Sequence, residues 1–410
     1  MEKIAFYNKY KKYIITVLLI FILVPFFLIT TSTVIYSANL DWAENHPWIR
    51  GVLLFLVSII INNFIGENKE EVPDEPIFNE NFDENIDDIL DYSTNDNKRR
   101  EVLGFHVNWL THDANSYENL KTYNDHIDMV APFWYTLMPD GSIQSRYGGY
   151  QHEVHTFASA NNIKMIPLIN NNQTNNMILV DPETRKKAVN SVVELVKQYD
   201  FDGVNIDFEF IPPWTRNGYT AFMEKLSEKL REMDKLVTIS VFPKIDVPSD
   251  LHEAYDYAAL APLIDRMLIM TYDHHWSTGP AGPIAPIDWV ERNIKYTLEY
   301  IPADKLMLGI ANYGYDWSSS SERAPDLSEK RAHQLAKEMG VEIQWNNEFQ
   351  TPYFNYIDDN GEEHEVWFEN GNSAAFKFDL VNKYDLRGIG IWRLGNSDDR
   401  FWNNVERMLR

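Results

Sequence analysis

Cysteine is absent from all 410 residues. Disulfides and Cys-based zinc sites are therefore excluded. Basic residues are scarce, 37 Lys and Arg against 61 Asp and Glu, which leaves a formal net charge of −24. A phosphate backbone would be repelled by such a chain, which argues against nucleic acid as a partner. There is no P-loop and no dinucleotide fingerprint. No two histidines have convincing metal-ligand spacing. His274 and His275 are adjacent at what reads as a strand end, so they point in different directions and no metal site is expected. What the chain does have is apolar and aromatic residues. Hydrophobic residues make up 44%, enough for a substantial core, and 12 Trp, 22 Tyr and 22 Phe suit either that core or a groove that lays sugar faces on rings.

The first 66 residues read as a membrane-anchor region. "MEKIAFYNKYKKY" carries four Lys and is followed by Ile14 to Tyr36, 23 residues without a charge. At about 1.5 Å per residue that run can cross a bilayer core of ~30 Å, with the Lys cluster left in the cytoplasm. A cleaved signal peptide is the competing reading, but the apolar stretch is long and "VIYSA" is a poor cleavage site. A second apolar segment, 51–65, contains Asn62 and Asn63 and could be a second span, an interfacial helix or a helix packed on the first. Residues 67–97 hold 12 carboxylates and one Lys and read as a disordered, extended linker. The expectation is a membrane-anchored protein with its main domain outside the cytoplasm.

From 98 to 410 the pattern is regular. Strand candidates fall at 101–107, 126–134, 163–169, 202–210, 236–242, 266–272, 305–314 and 386–392, with helical patterns between most of them. Eight alternating units in about 310 residues predict an α/β fold, a (β/α)8 TIM barrel. A doubly wound open sheet is the runner-up. The long gap between the last two strands holds "PYFNYIDDNGEEHEVWFEN", two β-type runs around an Asp-Asn-Gly turn. It predicts a small α+β insertion at about 318–385.

The fourth strand candidate, "FDGVNIDFEF", is chemically distinctive. Val204, Ile206 and Phe208 alternate with Asn205, Asp207 and Glu209. Period two puts the polar set on one face. The helices on either side, with apolar stripes at Ala188, Val192, Val193, Leu195 and Val196 and at Phe222, Met223, Leu226 and Leu230, make this a parallel strand. Parallel strands are normally buried on both faces, so the acids should point along the barrel axis, toward the end where catalytic groups sit. Crowded buried carboxyls cannot all ionise cheaply, and one pKa rises, as a general acid near neutral pH requires. Glu209, nearest the mouth, is then the proton donor, with Asp207 one step deeper.

"DGVNIDFE", Asp202 to Glu209, resembles the Asp-Gly-x-Asp-x-Asp-x-Glu signature of glycoside hydrolase family 18, with Asn205 where chitinases usually have Asp. "MLIMTYDHHW" contains Met270, Tyr272 and Asp273, which resemble the family's Met-x-Tyr-Asp motif, and Trp392 ends the eighth strand where the family has a floor tryptophan. The resemblance covers about residues 100–410, and "ANYGYDW" and "STGPAGPIAPIDWVERN" are most similar to members linked to bacterial envelope polysaccharide. It implies a retaining, substrate-assisted glycosidase without a cofactor, acting on an N-acetylated polysaccharide such as chitin, a chitooligosaccharide or a peptidoglycan strand. It assigns catalysis to Glu209, Asp207, Tyr272 and Asn205. It assigns substrate binding to Trp392, Asp273, Met270 and Phe105, with Asn170 as the candidate on the third strand, where "PLINNN" replaces the chitinase Ser-x-Gly-Gly. The alternative is a membrane-tethered glycan-binding protein without turnover.

Overall fold

The structure is a computed structural model that describes residues 98–108, 115–171 and 176–410. The two apolar segments and the acidic run read above as anchor and linker lie outside the described residues. Among the described residues no helix is long and apolar enough to cross a membrane.

Parallel pairing runs continuously around a closed sheet. Its strands are β1 (Glu101–His106), β2 (Met129–Pro132), β3 (Tyr135–Leu137), β5 (Lys164–Met165), β6 (Leu168–Asn171), β7 (Gly203–Asp207), β8 (Leu236–Val241), β9 (Arg266–Ile269), β10 (Leu306–Ala311) and β16 (Gly388–Trp392), while β4 (Ile143–Ser145) folds back antiparallel on β3. β2 and β3 follow each other along one interrupted stave and β5 and β6 along the next, and the two staves lie side by side through the pairs β2–β5 and β3–β6. β16 pairs with both β10 and β1, which closes eight staves into the expected barrel.

The sequence explains why this sheet has two faces. Val204, Ile206, Val237, Ile239, Met267 and Ile269 belong to the large outer core shared with the helices. Leu103, Phe105, Met129, Ala131, Leu168, Leu268 and Met307 form a separate cluster inside the barrel. The helix Pro182–Tyr199 (α1) starts as its sequence dictates. Asp181 accepts from Thr184 N, Pro182 occupies the first turn, and the chain leaves through Asp200 at φ +50°. Its stripe Ala188, Val192, Val193, Leu195 and Val196 is buried, as are Phe222, Met223, Leu226 and Leu230 of α2 (Arg216–Arg231). The seventh stave is preceded by α3 (Ile287–Leu298).

Two strands end sooner than period-two alternation predicts. β7 stops at Asp207 rather than 210, and β9 at Ile269 rather than 272. Phe210 takes φ +54° and is followed by Ile211-Pro212-Pro213, and Asp273 takes φ +57°, so neither segment can continue a ladder. Glu209, Tyr272 and Asp273 therefore sit on the turns just beyond the strands.

Between β10 and β16 the chain builds a second, wholly antiparallel sheet. Its order is β12-β11-β15-β14-β13, from β11 (Gly314–Ser318), β12 (Asp326–Leu327), β13 (Gln344–Asn346), β14 (Thr351–Ile357) and β15 (Glu363–Phe368). The Asp-Asn-Gly turn connects β14 to β15. One face packs on α4 (Glu329–Met339) through Leu335, Phe354 and Val366. The chain returns through α5 (Gly371–Lys383), where Lys377 Nζ meets Glu369 Oε2 at 2.6 Å with both side chains almost wholly buried. Ser373 Oγ donates to the same oxygen at 2.7 Å. Removing one partner of such a pair strands a charge in the core, which costs about 3–5 kcal/mol. Lys377→Met is expected to lower unfolding free energy by that order in denaturant titration, and Glu369→Leu combined with Lys377→Met to recover most of it.

Candidate active site

The barrel's C-terminal mouth holds a cavity of about 250 Å³ lined by Phe105, Leu168, Asp207, Glu209, Phe210, Ser240, Phe242, Met270, Tyr272, Asp273 and Trp392. Seven of the nine residues nominated from sequence line it. A larger cleft of about 610 Å³ runs along β11, β14 and β15, but it contains none of these carboxylates.

Asp207, the last residue of β7, points inward and is buried, and its Oδ1 has no hydrogen-bond partner among the described residues. Burial, then the neighbouring charge of Glu209, pushes its carboxyl well above the ordinary range. Glu209 is half-buried, and burial followed by the charge of Asp273 pushes it up to about 7. Its backbone is gripped on both sides by Asn171, whose Nδ2 donates to Glu209 O and whose Oδ1 accepts from Glu209 N, both at 2.9 Å. Tyr255 OH donates to Phe208 O at 2.6 Å and fixes the turn from the other side.

Tyr272 has room because β10 carries Gly309 opposite it: a Cβ there would lie 2.9 Å from Tyr272 Cε1 and 2.6 Å from Ile269 O. Asp273, at the rim, accepts from Tyr313 OH at 2.6 Å and Tyr315 OH at 3.1 Å. Burial nonetheless raises its carboxyl, the two tyrosine bonds acting against that rise. Trp392 packs edge-on to Phe105, with ring centroids 5.4 Å apart, and is followed by a cis peptide to Arg393. Asn312 holds that turn as Asn171 holds Glu209, donating to Arg393 O at 2.7 Å and accepting from Arg393 N at 2.8 Å.

Two nominated residues stand apart from the cavity. Asn205 lies deeper in the barrel, donating to Thr238 Oγ1 and accepting from Ser240 Oγ, both at 3.0 Å. It is placed to hold the floor under Asp207. Asn170 accepts from Thr136 Oγ1 at 2.7 Å and sits in register with Asp207, beside the cavity. The asparagine that contacts Glu209 is the next one, Asn171. His274 and His275 turn to different partners, the Trp289 ring at 4.8 Å and Pro280 O at 3.0 Å.

The arrangement supplies a carboxyl whose pKa is raised toward neutral pH, a second buried carboxyl beneath it, a phenol, and an aromatic wall and floor. A pyranose ring fits against such a floor with its polar substituents turned to the acids.

A family model of glycosyl hydrolases family 18 matches residues 82–397. The putative sporulation-specific glycosylase YdhD of Bacillus subtilis is 30% identical over 303 residues, 72% of this chain and 71% of that protein. The cortical fragment-lytic enzyme of Bacillus subtilis is 32% identical over 232 residues, 55% of this chain and 54% of that protein. The crystal structure of the spore cortex-lytic enzyme SleL of Bacillus megaterium superposes with a TM-score of 0.70 at 27% identity, covering 76% of this chain and 75% of that one. Sequence signature, barrel and carboxylate pair agree, and the chain belongs to glycosyl hydrolases family 18 as a glycoside hydrolase.

Proposed function

We propose that this protein hydrolyses β-1,4 bonds next to N-acetylglucosamine in a peptidoglycan-type or chitin-like polymer, by a retaining, substrate-assisted route. The observation that carries this reading is the pair Asp207 and Glu209 at one strand end, both pushed toward the protonated form, with Asp273 already engaged by two tyrosines. Glu209 gives its proton to the glycosidic oxygen. The substrate's acetamido oxygen attacks the anomeric carbon as the bond to the leaving sugar breaks. Asp207 holds the amide N–H and stabilises the positive oxazolinium, and Tyr272 OH donates to the acetamido group. Glu209, now ionised, takes a proton from water as that water adds to the anomeric carbon and displaces the acetamido oxygen, which restores the amide and the acid. The test is product analysis on chitooligosaccharides and on purified peptidoglycan, with the anomer formed first read by NMR. Retention and new N-acetylglucosamine reducing ends support the reading. Inversion, or no release from either polymer, overturns it.

The raised carboxyl fixes a pH dependence. Glu209 acts as an acid only while protonated, and its pKa is pushed up to about 7. Turnover per unit of free enzyme and substrate should therefore fall about tenfold per pH unit above that value. A kcat/KM profile that stays flat to pH 9 would show that another group donates the proton.

We also propose that the barrel lies outside the cytoplasm on a tether formed by 14–36 and the acidic linker. The Lys cluster favours an inside N-terminus, and the segment 51–65 reaches only ~22 Å at 1.5 Å per residue, short of the ~30 Å core. Protease added to intact cells should cut within 67–97 and release a fragment of about 310 residues. Protection until the membrane is permeabilised places the barrel inside.

A further inference from the structure

The reaction site is rich in acids. Its cavity carries three carboxyls, Asp207, Glu209 and Asp273, on a chain of net charge −24. A polymer whose sugars bear carboxylates would be repelled unless a cation stands where it passes. One does. Arg146, at the end of the β3–β4 hairpin, lays its guanidinium over the Phe133 ring at 4.6 Å and the Tyr147 ring at 5.3 Å. Phe133 belongs to the same apolar cluster as Phe105, against which Trp392 packs, so the cation rests on the aromatic bed of the reaction site.

Its placement is fixed by the ladder. Thr136, Asn170 and Asp207 are consecutive partners across β3, β6 and β7 and form one row at the mouth. Arg146 Nη1 donates to Thr136 Oγ1 at 3.4 Å, and Thr136 donates on to Asn170 at 2.7 Å. Two strand spacings, roughly 10 Å, separate the Thr136 backbone from that of Asp207, a span that one or two sugar rings bridge. Among the described residues the guanidinium's hydrogen bonds go to Thr136 and to Tyr147 OH, the latter at 3.3 Å, and no carboxylate pairs with it. Its bonds are long and both go to neutral hydroxyls. A planar fork held by ring faces, with no anion, is matched to a carboxylate that arrives with the ligand.

We propose that Arg146 is a specificity residue that binds the lactyl carboxylate of a muramic-type sugar flanking the cleaved unit, so that the site prefers a carboxylate-bearing N-acetylated glycan over an uncharged one. This rests on the glycan reading above, and its test is made independent of turnover. Binding is measured calorimetrically in the Glu209→Gln background. One ligand is an alternating N-acetylglucosamine and N-acetylmuramic acid tetrasaccharide with free lactyl groups, and the other is the uncharged N-acetylglucosamine tetramer. Arg146→Gln should weaken the charged ligand by about 10- to 100-fold, the range for a charge-assisted hydrogen bond, and leave the uncharged one within twofold. Arg146→Lys, which keeps charge and loses the fork and the stacking, should fall between. Equal weakening of both ligands shows that Arg146 only holds the mouth together and overturns the proposal. An unchanged affinity for the charged ligand overturns it too, while binding of both ligands keeps the glycan reading intact. If neither ligand binds before Arg146 is touched, the glycan reading and this proposal fall together.

Discussion

Glu209→Gln should reduce hydrolysis by about 10² to 10⁴-fold, the usual contribution of general acid catalysis, while sugar binding persists. The substitution preserves shape and removes only the transferable proton. The backbone at this position is held by Asn171 from both sides, and that clamp does not depend on the side chain. The variant should also show an opposite effect on stability. Burial raises the Glu209 carboxyl from 4.5 to about 7 in the folded protein. The native state therefore holds the proton more tightly than the unfolded chain does. The stabilisation this gives is complete below pH 4.5 and is lost as pH rises through 7. Gln has nothing to ionise, so the melting temperature of the variant should gain on the parent between pH 5 and 8. A stability difference independent of pH, together with near-parental turnover, would remove Glu209 from the role of acid.

Asp207 and Glu209 stand out because a parallel strand flanked by two amphipathic helices has no solvent face on which to leave acids. Alternation alone overextends the strand. Alternation continues through Phe208 and Glu209, but the ladder needs a partner carbonyl and an extended φ, and Phe210 with the two prolines after it denies both. Barrel closure was legible from the count of strand–helix units. The interruption of the second and third staves was not, because only tertiary pairing decides whether Phe133, Trp134, Ile166 and Pro167 join a ladder.

The supporting contacts were the least legible. Asn171 and Asn312 each clamp the backbone of a functional turn, yet an asparagine among "NNN" or in "ANYG" carries no period that marks it. Asn170, the third-strand candidate where "PLINNN" replaces the chitinase Ser-x-Gly-Gly, bonds to Thr136. Tyr313 and Tyr315 were visible within "ANYGYDW", but their bond to Asp273 depends on β11 of the inserted sheet turning back over the mouth. That sheet lies more than 40 residues from the motif it serves. Its effect is chemical: two phenols satisfy Asp273, which leaves Asp207 and Glu209 as the acids available to a substrate.

The second large effect concerns the substrate rather than the protein. A fully de-N-acetylated polymer should be cleaved at least about 10³-fold more slowly than its acetylated counterpart. In the proposed route the nucleophile is the acetamido oxygen already attached to the reacting sugar, and well-oriented intramolecular nucleophiles reach effective concentrations on the order of 10⁵ M or more. Removing the acetyl group discards that advantage. The rest of the sugar keeps its contacts with the aromatic floor and wall, so binding is retained while reaction is not. The protein offers no ready substitute. Asp207 is buried, its Oδ1 is unpartnered among the described residues and its carboxyl is held toward the protonated, poorly nucleophilic form, and Asp273 is tied to Tyr313 and Tyr315 at the rim. The loss should therefore lie in kcat, with KM changed little. Initial rates on chitooligosaccharides of graded acetylation would measure it. Equal rates on acetylated and deacetylated chains would mean that a protein carboxylate attacks the sugar directly, and Asp207 would then have to ionise in a site built to keep it neutral.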